Sequence, residues 1–104
     1  MTFGKIFICR FPFASGLASK ARPVLVLFDV GLDVVICRIT SAVHSDMLDI
    51  PVTGWAAAGL AKPSVIRLSR LVTAEKTLLF RRLGALSVTD QETVRTLWNA
   101  NMML

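Results

Sequence analysis

The chain has 104 residues and a mass of 11.4 kDa, which is the size of one domain and excludes a multidomain architecture. Its hydrophobic fraction of 54% is sufficient for a folded core, yet every apolar run is short, so no membrane-spanning segment is predicted. The net charge of +5 favours polyanionic or acidic partners.

The first half of the chain is predicted to consist of strands. A short strand over residues 5–10 precedes Phe11-Pro12-Phe13 and a loop of small residues at 14–19. Two runs rich in Val, Leu and Ile follow, at residues 22–29 and 33–40. They are joined by three residues centred on Gly31, a connection that suits a β-hairpin with glycine in the left-handed conformation.

The hairpin also predicts which residues share a face. If Asp29 opposes Asp33, then Arg22 lies opposite Thr40, and the two side chains point to the same face together with Arg38. A register slip of one residue would turn Arg22 into the apolar layer, at a large desolvation cost. The predicted core layer lies on the other face and comprises Leu25, Leu27, Val35, Cys37 and Ile39.

The second half predicts three more strands and a helix. The strands are expected at residues 48–52, 64–72 and 78–86, with a loop at 53–61 and a turn at 73–76. Ser87 and Thr89 each begin a capping pattern, and Val94, Leu97 and Trp98 form one apolar stripe, so a helix is predicted over about 88–102. Residues 1–104 are therefore expected to be a single, mainly β domain with a C-terminal helix, shaped as a small, partly open barrel.

Cysteine usage and the N-terminus predict a cytoplasmic protein. The first residues lack the layout of a signal peptide. Cys9 and Cys37 each lie inside an apolar run and are expected to be buried, reduced thiols. With one histidine and no Cys-x-x-Cys motif, the usual zinc spacings are excluded.

Several segments, in this order, resemble the PemK/MazF-like toxins of bacterial type II toxin-antitoxin systems, especially the short PemK-like branch. These are residues 4–13, 20–27 with the Arg22-Pro23 pair, 39–41, 49–51, 59–68, 71–73 and 84–87. The resemblance implies an SH3-like barrel with a C-terminal helix, a homodimer, and a cytoplasmic endoribonuclease that an antitoxin protein holds silent. The chain departs from the family pattern at Lys5, where an acidic residue is common, and at Val72, where many members have Arg.

The resemblance implies that Arg22 and Thr40 are the catalytic pair, and the hairpin register independently places them together. Metal-free RNA cleavage needs a group that binds two phosphate oxygens and stays charged, which suits Arg. We therefore expect RNA as substrate, no cofactor, no metal, no membrane contact and a 2′,3′-cyclic phosphate product. The expected RNA-binding residues are Lys20, Ser41, Arg38, Ser19 and Phe13, although core packing is the alternative for the phenylalanine.

Other residues leave alternatives open. His44 fits an exposed loop histidine better than a general base, and Asp46 with Asp49 forms only a weak metal pair. Trp55 is a candidate contact for a partner or a second copy. The sequence does not separate the roles of Arg81 and Arg82. A catalytically silent SH3-like module that binds nucleic acid or protein remains the alternative function.

A homodimer is also expected from the pattern of the hairpin. Val26, Phe28, Val34 and Ile36 are apolar and lie on the face opposite the Leu25 layer. If that face were bare, it would be a larger apolar patch than monomers usually expose. The alternative is a monomer in which the C-terminal helix covers this face.

Overall fold

The structure is a computed structural model that describes residues 1–12 and 19–104. Within this part of the chain, six strands form one antiparallel sheet: β1 (Lys5–Pro12), β2 (Ser19–Asp29), β3 (Asp33–Thr40), β4 (Asp49–Pro51), β5 (Val65–Glu75) and β6 (Leu79–Ala85). A short 3-10 helix (Lys76–Leu78) joins β5 to β6, and helix α1 (Val88–Asn101) ends the fold. The strand order is β4-β5-β3-β2-β1-β6. The sheet is not closed, which confirms the predicted fold class.

The predicted hairpin register is confirmed in the middle of β2 and β3 and wrong at the turn. Val24, Leu25 and Val26 oppose Arg38, Cys37 and Ile36, as expected. A bulge at Leu27 then shifts the pairing, so that Asp29 opposes Val34 instead of Asp33. Gly31 has the expected positive φ of 96°.

The predicted turn at residues 73–76 is wrong, because β5 continues to Glu75. Thr73, Ala74 and Glu75 pair with Val35, Val34 and Asp33 on β3, and the Ala74 side chain is buried. The full length of β3 therefore keeps these residues in the sheet, and the change of direction occurs in the 3-10 helix that follows.

Two apolar layers lie on opposite faces of the sheet. The larger layer includes Leu25, Leu27, Cys37 and Ile39, as predicted, and helix α1 covers it with Val94. Val35 and Trp55 pack half-buried against the same layer, so the Trp55 ring serves the core. In the described part of the chain, no helix is long and apolar enough to cross a membrane.

The second layer corrects the prediction of a bare apolar face. Val26, Val34 and Ile36 are at most 1% exposed, because β6, the 3-10 helix and the N-terminus curl over them. Phe28 lies beyond the bulge and contacts Trp98 of α1 with ring centroids 5.2 Å apart. Both the argument for a dimer through this face and the alternative that α1 covers it are therefore wrong.

The two cysteines are free and buried, as predicted. Burial disfavours the thiolate and raises the pKa of Cys9 to about 11 and that of Cys37 to about 12. Both thiols therefore stay protonated near neutral pH and pack as small apolar groups.

Candidate functional site

A cavity of about 640 Å³ lies where β2 extends past the end of β3. β3 ends at Thr40, whereas β2 continues to Ser19 alongside β1. Side chains from both faces of the sheet can therefore reach the space beside β2. One wall is built by the strand ends and the residues after β3, namely Arg22, Pro23 and 38–42. The other wall is built by residues 59–62 and by β6.

Four of the residues predicted for the site line this cavity together. They are Arg22, Arg38, Thr40 and Ser41. Lys20 is exposed on β2, two residues before Arg22 and on the same face by strand alternation, but it is not among the lining residues.

The side chains of two further residues predicted for the site lie outside the described part of the structure. Ser19 begins β2, and its side chain is not among those described. Phe13 lies outside the described residues. Their expected roles in RNA binding therefore stay predictions.

The Thr40 hydroxyl is oriented by the backbone that follows it. Its Oγ1 atom accepts a hydrogen bond from the backbone N–H of Ala42 at 3.1 Å. This contact ends β3 with a side-chain turn. It also uses one lone pair of Oγ1, so the hydroxyl hydrogen can be donated to an anion in the cavity.

Arg38 is half-buried and is backed by a second arginine. Its Nε is buried and has no hydrogen-bond partner within the described part of the chain. Arg67 lies directly opposite Arg38 on β5, and its own charge is already paired. Arg67 donates from Nε to Asp49 at 3.1 Å and from Nη2 to Asp46 at 3.0 Å. Arg38 therefore offers a buried donor that a bound anion could satisfy.

The only three-residue cluster of potential metal ligands in the described residues is His44, Asp46 and Asp49, whose ligand atoms lie within 4.8 Å of one another. The Arg67 guanidinium already contacts both carboxylates. Burial alone would raise the pKa of Asp49, but hydrogen bonds from Asp46 and Arg67 together lower it. A bound cation would have to displace Arg67, so the cluster fits an internal ion pair better than a metal site.

The second wall was missed by sequence reasoning because residues far apart in sequence form it. Lys62 and Arg81 add two cations to this wall. Gly59 lets the wall approach β6, since it has a φ of 91° and a Cβ there would lie 2.2 Å from the carbonyl oxygen of Leu83. Gly84 is equally crowded, since its Cβ would lie 2.3 Å from the carbonyl oxygen of Ala58. The glycines that bracket residues 54–59 were the available signal.

Helix α1 anchors the segment that leads into this wall through a buried carboxylate. Ser87 caps the helix by accepting a hydrogen bond from the Asp90 backbone N–H. The Asp90 carboxylate accepts from Thr53 N at 3.2 Å, Thr53 Oγ1 at 2.7 Å and Gly54 N at 3.1 Å. Burial favours a raised pKa for Asp90, but these hydrogen bonds outweigh it and lower the pKa.

The charge of the cavity indicates what it can bind. Arg22, Arg38, Lys62 and Arg81 line it, and no acidic residue appears among the described lining residues. Arginine binds two oxygens of a phosphate at once, and threonine and serine add hydroxyl donors. The arrangement can hold an extended polyanion and stabilise additional negative charge on one of its phosphates.

Comparisons with known proteins agree with these features. The family model described as "PemK-like, MazF-like toxin of type II toxin-antitoxin system" matches residues 2–99. The toxin MazF-mt6 of Mycobacterium tuberculosis is 26% identical, with a TM-score of 0.76 over 96% of this chain and 98% of that chain. No curated protein matches this chain.

Two solved assemblies contain similar folds. An endoribonuclease in complex with its cognate antitoxin, from Mycobacterial species, is 17% identical, with a TM-score of 0.78 over 98% of this chain and 94% of that chain. The MazE-MazF structure from Deinococcus radiodurans is also 17% identical, with a TM-score of 0.77 over 100% of this chain and 97% of that chain. At this identity, the likeness is one of fold.

Proposed function

The chain belongs to the PemK-like, MazF-like toxin family of type II toxin-antitoxin systems, and we propose that it is a metal-independent endoribonuclease that cleaves single-stranded RNA. The observation that carries the proposal is the meeting of Arg22 and Thr40 in one cationic cavity. We propose these two residues as the catalytic pair, with Arg38 and Ser41 binding the RNA beside them. Lys20, Ser19 and Phe13 remain proposed RNA contacts on the approach along β2.

The proposed reaction is a transfer within the RNA backbone. The 2′-oxygen attacks the neighbouring phosphorus, the bond from phosphorus to the 5′-oxygen breaks, and a 2′,3′-cyclic phosphate forms. The 2′-hydroxyl proton passes to water, and the leaving 5′-oxygen takes a proton from water. Arg22 stabilises the extra charge on the non-bridging oxygens, and the Thr40 hydroxyl donates to one of them.

Metal independence is supported by the ion pairs around Arg67. Asp46 and Asp49 are bound by its guanidinium, so these carboxylates are not poised to hold a catalytic cation. The arginine of the cavity can supply the charge stabilisation that a metal would otherwise provide.

The proposed assembly includes an antitoxin and a second copy of the chain. Two similar structures are complexes with an antitoxin or with MazE. An acidic segment would fit the cationic cavity and would exclude RNA from it. The homodimer and the single domain over residues 1–104 also belong to this proposal, and the family match over residues 2–99 supports the domain.

The test is incubation of the purified chain with a defined single-stranded RNA in the presence of EDTA. We expect cleavage, with 2′,3′-cyclic phosphate ends identified by mass spectrometry, and inhibition by the cognate antitoxin. Activity that disappears in EDTA and returns with magnesium would contradict the proposal. RNA binding without cleavage would instead favour the silent binding module.

A further inference from the structure

Arg81 and Arg82 are neighbours on β6 with the same charge and the same exposed setting, but the fold separates them. Two bulges in the pairing of β6 with β1 flank the pair, because Phe80 and Leu83 have no partner on β1. Arg81 lies opposite Ile8, a cavity-lining residue, and itself lines the cavity. Arg82 lies opposite Phe7, which packs on the other apolar layer, and is not among the lining residues.

No carboxylate in the described residues pairs with Arg81. Its charge is therefore not neutralised within this part of the chain, unlike that of Arg67. Arg81 shares the cavity with the cations Arg22, Arg38 and Lys62. A bound polyanion would relieve the repulsion between these like charges.

The position of Arg81 differs from that of Arg22. Arg81, Ile8 and Pro23 form one row across β6, β1 and β2. The Cα atoms of Arg81 and Pro23 are therefore separated by two strand spacings of about 4.8 Å each. Ile8 on β1 lies in this row between Arg81 and the β2 wall, so Arg81 and Arg22 contact different parts of a ligand.

We propose that Arg81 binds a second phosphate of the RNA, adjacent to the phosphate held at Arg22. This inference rests on the proposed function and deepens it, since it makes the substrate an oligonucleotide with at least two bound phosphates. Arg81 is a binding residue in this scheme and does not act on the reacting atoms. Its loss affects affinity and leaves the rate of the bound complex nearly unchanged.

The first experiment compares Arg81→Gln with Arg82→Gln on an RNA that the wild-type chain cleaves. We expect the Arg81 variant to raise KM roughly tenfold at nearly constant kcat. The Arg82 variant removes the same charge, and its KM should change less than twofold. Arg81→Lys should recover part of the affinity, and all three variants should unfold at the wild-type denaturant concentration.

The second experiment identifies which phosphate of the RNA Arg81 contacts. Binding is measured to the same RNA with a 2′-O-methyl group at the cleavage site, which prevents cleavage, and with one phosphate at a time replaced by a neutral methylphosphonate. In the wild type, neutralising the adjacent phosphate should weaken binding about as much as Arg81→Gln does. In the Arg81 variant, the same replacement should have no further effect, because the pair has already been broken.

The outcomes separate this inference from the function on which it depends. If the wild-type chain cleaves no RNA, the proposed function fails. If it cleaves RNA but the Arg81 and Arg82 variants behave alike, only the role of Arg81 is overturned. Coupling of Arg81 to the scissile phosphate instead of its neighbour would overturn the second-phosphate assignment.

Discussion

Arg22 is positioned at the candidate site by the backbone of two strands. It lies opposite Cys9 on β1, one residue before Pro23, and its half-buried side chain reaches the cavity where β3 has ended. Arg22 is the fourth residue of β2 and lies at the margin of the core. Its guanidinium lines the cavity, where a bound anion can contact it.

We expect Arg22→Ala to abolish detectable RNA cleavage while the chain stays folded. Loss of one donor to a developing oxyanion costs roughly 3 to 4 kcal/mol of transition-state stabilisation, or about 10²- to 10³-fold in rate. The measurement is kcat/KM on a defined RNA, with circular dichroism to verify the fold. Arg70→Ala is the matched control, because Arg70 is an exposed arginine on β5 outside the cavity. Cleavage by the Arg22 variant at the wild-type rate would contradict the assignment.

Thr40→Val removes the hydroxyl and keeps the shape of the side chain. We expect kcat to fall by more than tenfold with a smaller change in KM, because the hydroxyl acts mainly on charge that develops in the transition state. Thr40→Ser retains both the donor and the contact with Ala42 N, so it should preserve most of the activity. Equal losses in kcat and in RNA affinity would assign Thr40 to binding alone.

At this scale, the sequence predicted the first wall of the site and missed the second. The period of two along β2 and β3 places Arg22, Arg38 and Thr40 on one face, and this local rule held across the middle of the hairpin. Lys62 and Arg81 reach the cavity only through the curl of the whole sheet and the bulges of β6. Neither feature has a periodic signal in the sequence.

At the scale of elements, the 53–62 segment depends on the helix at one end and on glycine at the other. Asp90 accepts three hydrogen bonds from Thr53 and Gly54, and Gly59 packs against the backbone of β6. Capping patterns correctly predicted where α1 begins. They did not predict that the Asp90 carboxylate is buried, because that depends on a loop 36 residues earlier.

Asp90→Ala should destabilise the chain by about 2 to 4 kcal/mol, because it removes a buried carboxylate that accepts three partly buried hydrogen bonds. Asp90→Asn keeps one acceptor oxygen and should cost less. The measurement is urea unfolding, and Glu92→Ala is the control, since Glu92 is an exposed acidic residue on the same helix and should cost under about 0.5 kcal/mol. Equal losses at the two positions would contradict the anchoring role.

The lowered pKa of the Asp90 carboxyl predicts that the free energy of unfolding depends on pH. The folded-state pKa of Asp90 lies below its unfolded value, so its contribution is complete above about pH 4 and is lost as pH falls through the lowered pKa. The stability difference between the wild type and Asp90→Asn should therefore narrow as the solution is acidified below about pH 4. A difference that stays constant or widens would show that the carboxylate is not stabilised by these donors.

A comparison of Gly59→Ala with Gly31→Ala measures how much stability depends on the close contact between residue 59 and the backbone of β6. Both glycines have positive φ, 91° and 96°, so both variants lose about 1 to 2 kcal/mol of backbone energy. A Cβ at Gly31 meets nothing within 4 Å, whereas one at Gly59 would collide with the Leu83 carbonyl. We expect Gly59→Ala to be the more destabilising by more than about 1 kcal/mol in urea unfolding, and to reduce RNA cleavage. Equal unfolding free energies would contradict this contact.

At the scale of the whole molecule, the dimer stays a prediction that rests on the family resemblance, because the apolar hairpin face that was expected to form it is buried. The face opposite the Leu25 layer is predicted to be open, but the chain buries it with its own β6 and 3-10 helix. The alternation of residues in one hairpin does not encode the curl by which an open sheet covers its own face. One apolar groove of about 350 Å³ stays open between β2 and α1, where Phe28 and Trp98 line it.

We therefore expect light scattering at micromolar concentration to give twice the chain mass, and Phe28→Glu to weaken the dimer without unfolding the chain. Phe28 is 45% exposed, so a charge there can remain in water in the monomer but would oppose an apolar contact between copies. The Ile36 side chain is 1% exposed, so Ile36→Glu would bury a charge and should unfold the chain at any concentration. Leu32 lies at the hairpin tip and is 90% exposed, so Leu32→Glu is the control that should change neither the mass nor the stability.

A mass of 11.4 kDa that persists as the protein is concentrated would reject the dimer. A dimer that Phe28→Glu leaves intact would move the interface away from this groove.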